Sequence, residues 1–167
     1  MKTIILLISL LVSFSSWGQA MKDLDNAGKV KHIFEKLTKD SLYLIDEFYS
    51  PDVDFVDPVG TIKGSANIKK YYESLYKNVK TIRFDFSNFV VQGDIVVGVW
   101  KMTLVTDKLN GGEPIVVDGN SVIRFNSQGQ AVYHRDYFDM GVFVYENIPV
   151  LGRVIKSIKN RFKVDHE

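Results

Sequence analysis

Cysteine does not occur in the 167-residue chain. That excludes a disulfide framework, thiolate zinc sites, thioether-linked haem and thiol nucleophiles. An excess of charge of one sign is also missing, since 21 Lys and Arg face 20 Asp and Glu for a formal net of +1. With no basic surplus to neutralise phosphates, nucleic acid is not an expected partner. The sequence has no GxGxxG, no glycine-rich phosphate loop, no GxSxG and no HExxH, so the common nucleotide, hydrolase and zinc-protease signatures are absent. His32, His134 and His166 are the only histidines, too scattered for an obvious metal site. No metal and no cofactor is expected. Repeats, low-complexity tracts and linkers are lacking too.

What is present is apolar. Hydrophobic residues make up 46% of the chain and aromatics 13%, enough to build one core, which a disordered chain lacks. A long apolar run occurs once, at the start. Met1-Lys2 is followed by Ile4 to Phe14, apolar except for Ser9 and Ser13, and then by Ser15-Ser16-Trp17-Gly18-Gln19-Ala20. A charged start, an apolar run too short to span a bilayer and a small-residue end predict a signal peptide over residues 1–20. Cleavage is expected after Ala20 or before Gln19, with export to the periplasm or the medium. The remaining chain divides into a domain over 21–146 and a basic amphipathic helix over 147–167.

The domain reads as helices followed by strands. Val30, Ile33, Phe34 and Leu37 mark one helical face. Asp40 is placed to cap a second helix carrying Leu42, Ile45, Phe48 and Tyr49, ended by Ser50-Pro51. Val53, Phe55 and Asp57 alternate as a short strand, and Gly60 and Gly64 interrupt the loop after it. Ser65 is placed to cap a third helix with Ile68, Tyr71, Tyr72 and Leu75 on one face. From Thr81 to Asp139 the period changes to two, with turns at Gln92-Gly93-Asp94, Asn110-Gly111-Gly112 and Asn126-Ser127-Gln128-Gly129. Sequential strands joined by short turns predict an antiparallel meander, and helices segregated from them predict an α+β fold. Beyond Gly141, Ile148, Leu151, Val154, Ile155, Ile158 and Phe162 form a helical stripe beside Arg153, Lys156, Lys159, Arg161 and Lys163. Packing of this stripe on the domain or on a second subunit is the favoured expectation, and contact with an anionic membrane surface is the alternative.

Two short stretches hold the chemistry. In Phe55-Val56-Asp57-Pro58-Val59-Gly60, a carboxylate at a strand end is fixed by a proline turn. In His134-Arg135-Asp136-Tyr137-Phe138-Asp139, alternation sets His134, Asp136 and Phe138 on one face. Ionisable groups beside aromatics on an inward face are either a buried structural network or a functional site.

These stretches, in the order helix, helix, FVDPVG, helix, long meander, resemble the nuclear transport factor 2-like superfamily. It includes ketosteroid isomerases, SnoaL-like polyketide cyclases and limonene epoxide hydrolases. The resemblance covers roughly residues 25–140. It implies a cone-shaped barrel, a strongly bent antiparallel sheet wrapped around three N-terminal helices and enclosing an apolar pocket. It places Asp57 where the isomerases have their general base. Tyr71, Tyr72 and Trp100 fall at pocket aromatics, and His134, Asp136 and Phe138 at last-strand positions lining the same pocket. Asp136 also matches the catalytic acid of the epoxide hydrolases. The isomerases' two oxyanion donors fall by spacing on Ile33 and Ser121, and the hydrolases' Arg–Asp pair has no counterpart in Val99-Trp100-Lys101-Met102-Thr103-Leu104.

Two readings follow. One is a cofactor-free acid–base enzyme on a small, largely apolar molecule, with Asp57, His134 and Asp136 catalytic. Tyr71, Tyr72, Trp100, Ser121 and Phe138 then bind the ligand. The other is a non-catalytic ligand-binding or dimeric interaction domain, in which the same groups only orient a ligand. A homodimer is expected in either case.

Overall fold

The computed structural model describes Met21 and residues 23–162. The expected signal peptide, residues 1–20, lies outside the described residues.

Helix α1 (Asn26–Lys36) starts where the Asp25 side chain accepts a hydrogen bond from the Gly28 N–H at 2.7 Å, a cap that satisfies an otherwise orphaned amide. Its Val30 and Ile33 are buried. Phe34 meets Phe84 and Phe86 edge-on, at ring-centroid distances of 4.8 and 5.3 Å. Burial of such side chains stabilises by roughly 1.5–3 kcal/mol each.

The second helix is shorter than its sequence predicts. Helix α2 (Leu44–Phe48) lacks a side-chain cap, and Tyr49 already begins strand β1 (Tyr49–Asp57). Asp40 does not cap it. The chain leaving α1 is instead closed by Ser41, whose hydroxyl accepts from the Thr38 N–H and donates to the Lys36 carbonyl. The interrupted loop after Asp57 is an edge strand, β2 (Gly60–Lys63), folded back on β1. Helix α3 (Ser65–Tyr76) is present, but Ser65 does not cap it: Ser65 is its first residue, and Gly64 occupies the cap position at φ +82°, in the left-handed region.

The meander appears as expected: β3 (Thr81–Gln92), β4 (Ile95–Val105), β5 (Ile115–Phe125) and β6 (Ala131–Phe138), each antiparallel to the next. One pairing departs from a wholly antiparallel sheet. β1 lies parallel to β6, so the sheet is mixed, with order β2-β1-β6-β5-β4-β3, and open at β2 and β3. Alternation predicts which side chains face inward, but not which strand is the neighbour. The architecture is the expected α+β cone, with helices on the concave face.

In β4 the alternation is strict: Val96, Trp100, Met102 and Leu104 are buried while Val99 and Lys101 are exposed. Gly119 of β5 is paired with Trp100, and a Cβ there would collide with the indole ring. This glycine lets the tryptophan lie flat on the sheet.

After β6 the chain forms a short helix α4 (Met140–Phe143), a 3-10 turn (Tyr145–Asn147) and helix α5 (Pro149–Asn160). Of the two packings expected for the stripe, on the domain or on a second subunit, the one on its own domain is not what the structure shows. Apart from Gly152 and half-buried Ile155, the side chains of α5 are exposed, Val150, Leu151, Val154 and Ile158 among them.

Candidate functional site

Between the concave face of the sheet, α1 and α3 lies a mostly apolar cavity of about 470 Å³. That is within the range of small-molecule sites. Phe34, Leu37, Phe84, Trp100, Met102 and Phe138 supply much of the wall, and Met140, Phe143 and Val144 close the side next to α4. Asp57, Tyr71, Tyr72, Trp100, Asp136 and Phe138, all singled out from the sequence, line this one cavity. Ser121 and His134 do not. Both are fully buried, one layer behind the wall.

Asp57 sits where β1 ends. One of its oxygens, Oδ1, accepts from the backbone N–H groups of Val59 and Gly60, at 2.8 and 2.9 Å. This is the aspartate's own turn, closed by its own side chain. The other oxygen, Oδ2, accepts from the Tyr71 hydroxyl at 2.6 Å. Burial, then the hydrogen bond and charge of Asp57, hold the Tyr71 phenol well above its usual pKa. Tyr71 therefore stays protonated and donates.

Asp136 has different surroundings. Its Oδ1 accepts from the Ser121 hydroxyl at 2.5 Å and lies 2.9 Å from His134 Nε2. Ser121 Oγ in turn accepts from Trp100 Nε1 at 2.9 Å. On the far side, the Tyr49 hydroxyl lies 2.6 Å from His134 Nδ1. Burial, then the nearby Asp136 charge, push the Tyr49 phenol up, so Tyr49 keeps its proton and donates it to Nδ1. A phenol O–H donating to Nδ1 leaves the ring proton on Nε2, facing Asp136 Oδ1. The chain of bonds has one direction from each end, and both ends point at Asp136 Oδ1. Among the described residues Asp136 Oδ2 has no hydrogen-bond partner, and the side chain lines the cavity with 11% of its surface exposed.

The two carboxylates thus differ in availability. Both oxygens of Asp57 are engaged, one of them in holding a turn. Asp136 has one oxygen saturated and one left for a ligand. The resemblance places Asp57 at the general-base position, whereas the carboxylate with an oxygen left over among the described residues is Asp136.

Tyr49 was not legible as part of the site, because it continues the apolar spacing of α2. Tyr72 and Tyr76 add two further phenols, both half-buried against the core. Burial, then the neighbouring Tyr49, raises Tyr72, and burial raises Tyr76 to about 12. Among the described residues there is no cluster of three or more His, Cys, Asp or Glu able to hold a metal ion.

Comparison with known proteins agrees with this architecture. Residues 30–134 match the family model of the SnoaL-like domain. No curated protein matches the sequence significantly. Among solved structures, a protein named as a SnoaL-like polyketide cyclase from Jannaschia sp. superposes with a TM-score of 0.65 at 19% identity, over 75% of this chain and 92% of its own. A nuclear transport factor 2-like protein of unknown function from Burkholderia pseudomallei gives 0.63 at 20% identity, over 71% and 94%. TerC, co-crystallised with polyporic acid, gives 0.56 at 24% identity, over 62% and 83%. At these identities the likeness is one of fold.

Proposed function

The chain belongs to the SnoaL-like domain family, and on that premise we propose that it holds a small, largely apolar molecule and exchanges a proton with it through Asp136, without a cofactor. The observation that carries this reading is the asymmetry of Asp136. Its Oδ1 is fixed by Ser121 and His134, and its Oδ2, without a partner among the described residues, is at the wall of an apolar cavity. A carboxylate held by two donors is oriented before the ligand arrives, and a water-poor wall strengthens its interaction with any proton it faces. Asp136 takes a proton from a C–H of the ligand, the bonding pair stays on the ligand, and the proton returns to a second carbon position. His134 and Ser121 are positioning residues in this scheme. Tyr71, kept protonated beside Asp57, supplies a hydrogen bond to the ligand's polar end when it turns from Asp57. That TerC, on the same fold, holds polyporic acid supports a cavity of this shape taking a comparably sized organic molecule.

The test begins with native mass spectrometry of the purified protein for a retained ligand. That ligand, returned to the protein in heavy water, should gain deuterium with wild type and not with Asp136→Asn. Binding without exchange in either protein would overturn the catalytic part and leave a binding domain. That second reading has its own support, the use of Asp57 as a turn cap.

Export and self-association belong to the same proposal. Residues 1–20 act as a cleaved leader, which N-terminal sequencing of exported protein tests. The outer face of the sheet carries exposed Val90, Val99, Val116 and Tyr137, an apolar surface suited to a second copy. Sedimentation equilibrium tests the dimer.

A further inference from the structure

We propose that α5 is a docking element for an anionic lipid surface. Its apolar side chains have no cover. Val150 is 68% exposed, Val154 52%, Ile158 49% and Phe162, just past the helix end, 81%. At 100° per residue these positions, with Leu151, fall on one arc of the helix. The attachment to the domain lies elsewhere on the circumference. Gly152 fits against the Glu146 carbonyl so closely that a Cβ would collide with it. Lys159, on the same side, is bound by Asp139 and Glu146. The apolar arc is therefore turned away from the protein by the contacts that hold the helix.

Charge identifies what covers it. No acidic residue occurs between Glu146 and Asp165, while Arg153, Lys156, Lys159, Arg161 and Lys163 do. Lys159 is neutralised by its two carboxylates. Among the described residues, Arg153, Lys156 and Arg161 have no carboxylate partner. On the same spacing Arg161 falls between Val150 and Val154 at one edge of the apolar arc, Arg153 lies beyond that edge, and Lys156 lies across the helix. An apolar face bordered and backed by unpaired cations is the arrangement of a helix lying in a lipid interface, its aliphatic side chains below the headgroups and its cations among them. Face-to-face pairing with α5 of a second copy would place Arg161 of each copy in the apolar contact, with no acidic residue on the facing helix to meet it. An anionic surface satisfies both the apolar arc and the cations.

The test uses the full-length protein, expressed intact and recovered with whatever N-terminus its processing leaves, the same in every variant. Sedimentation with sucrose-loaded vesicles compares phosphatidylcholine alone with equimolar phosphatidylcholine and phosphatidylglycerol. The anionic vesicles should bind at least roughly tenfold better, since each cation near such a surface adds to the attraction. Raising salt from about 0.05 to about 0.5 M should remove most of that preference. The double variant Val154→Ser/Ile158→Ser and the triple variant Arg153→Gln/Lys156→Gln/Arg161→Gln should each lose it. These side chains are exposed, so unchanged thermal unfolding confirms that the domain is intact. Equal binding to both vesicles, no binding, or binding that survives both variants would overturn the proposal. So would Val154→Ser/Ile158→Ser converting a dimer to a monomer in protein that ignores vesicles, which would make the face a contact between copies.

Discussion

The Tyr49 hydroxyl lies 2.6 Å from Nδ1 of His134, the geometry in which a phenol O–H donor leaves the ring proton on Nε2. His134 is fully buried, so no water is at hand to replace the phenol. In Tyr49→Phe the Nδ1 acceptor is left without a donor, which costs about 1–3 kcal/mol of stability. Nitrogen NMR of the imidazole should report the Nε2–H tautomer in wild type and a departure from it in Tyr49→Phe. An unchanged tautomer would mean that Asp136 alone sets it.

Asp136 and Asp57 should separate in mutants. Asp136→Asn keeps the shape but sets an amide N–H or carbonyl against Ser121 and His134 and removes the free carboxylate oxygen. A proton-exchange rate measured on the retained ligand should fall by roughly a hundredfold or more. Asp57→Ala breaks the turn at Val59 and Gly60, with a loss of about 1 kcal/mol in thermal or urea unfolding. Exchange should survive in it at a reduced rate. The reverse pattern would return the reactive role to Asp57.

Alkali should unfold the protein through its phenols. Tyr49, Tyr71, Tyr72 and Tyr76 are all raised from the ordinary value of 10.0, primarily by burial, Tyr76 to about 12. A raised folded-state pKa means that the native state keeps protons the unfolded chain gives up. The stability from these groups is complete below pH 10.0 and is lost as pH rises through the folded values. Urea unfolding followed from about pH 8 to about pH 12 should show a plateau and then a decline. Tyr76→Phe should make the decline shallower.

Gly119 is the position where one added methyl group does the most to the pocket wall. Its site is occupied by the Trp100 ring, which donates to Ser121 and lines the cavity. Gly119→Ala should displace the ring, destabilise by about 1–3 kcal/mol and change the near-ultraviolet circular dichroism. It should also weaken binding of N-phenyl-1-naphthylamine, a neutral apolar probe. A variant with normal stability and probe binding would show that the ring has room to move.

Much of this was legible in the sequence, for definite reasons. The spacing of Val30, Ile33 and Leu37 gives α1, and the period-two run from Thr81 gives four strands, because each pattern has one geometry that buries it. Alternation also sets His134, Asp136 and Phe138 on the concave face. It does not give depth: Phe138 and Asp136 reach the cavity while His134 lies behind it, covered by Tyr49 and Phe55. Partners distant in sequence were not readable. Tyr71 is 14 residues from Asp57 and Tyr49 is 85 from His134, and no local pattern encodes either meeting. The Asp40 cap failed because Ser41, one residue on, offers the α1 terminus a bond to the Lys36 carbonyl. The exposure of α5 was missed because an apolar stripe reads the same whether or not a partner is present.

The parallel pairing of β1 with β6 has a consequence for how the molecule comes into being. β1 is made early and β6 almost last, and Phe55 lies opposite His134. Until residue 131 has emerged, β1 and β2 have no sheet to join, while β3, β4 and β5 can already zip together from their turns. Closing the β1–β6 ladder therefore spans nearly the whole domain, a long-range step that is slow relative to hairpin formation. Asp57 and Asp136 come to share one cavity only when that ladder forms. A chain halted before β6 presents the edge of β5 uncovered, open to strands of other molecules. Pulse-labelled amide exchange should find β3, β4 and β5 protected before β1, the order in which this topology allows them to be held.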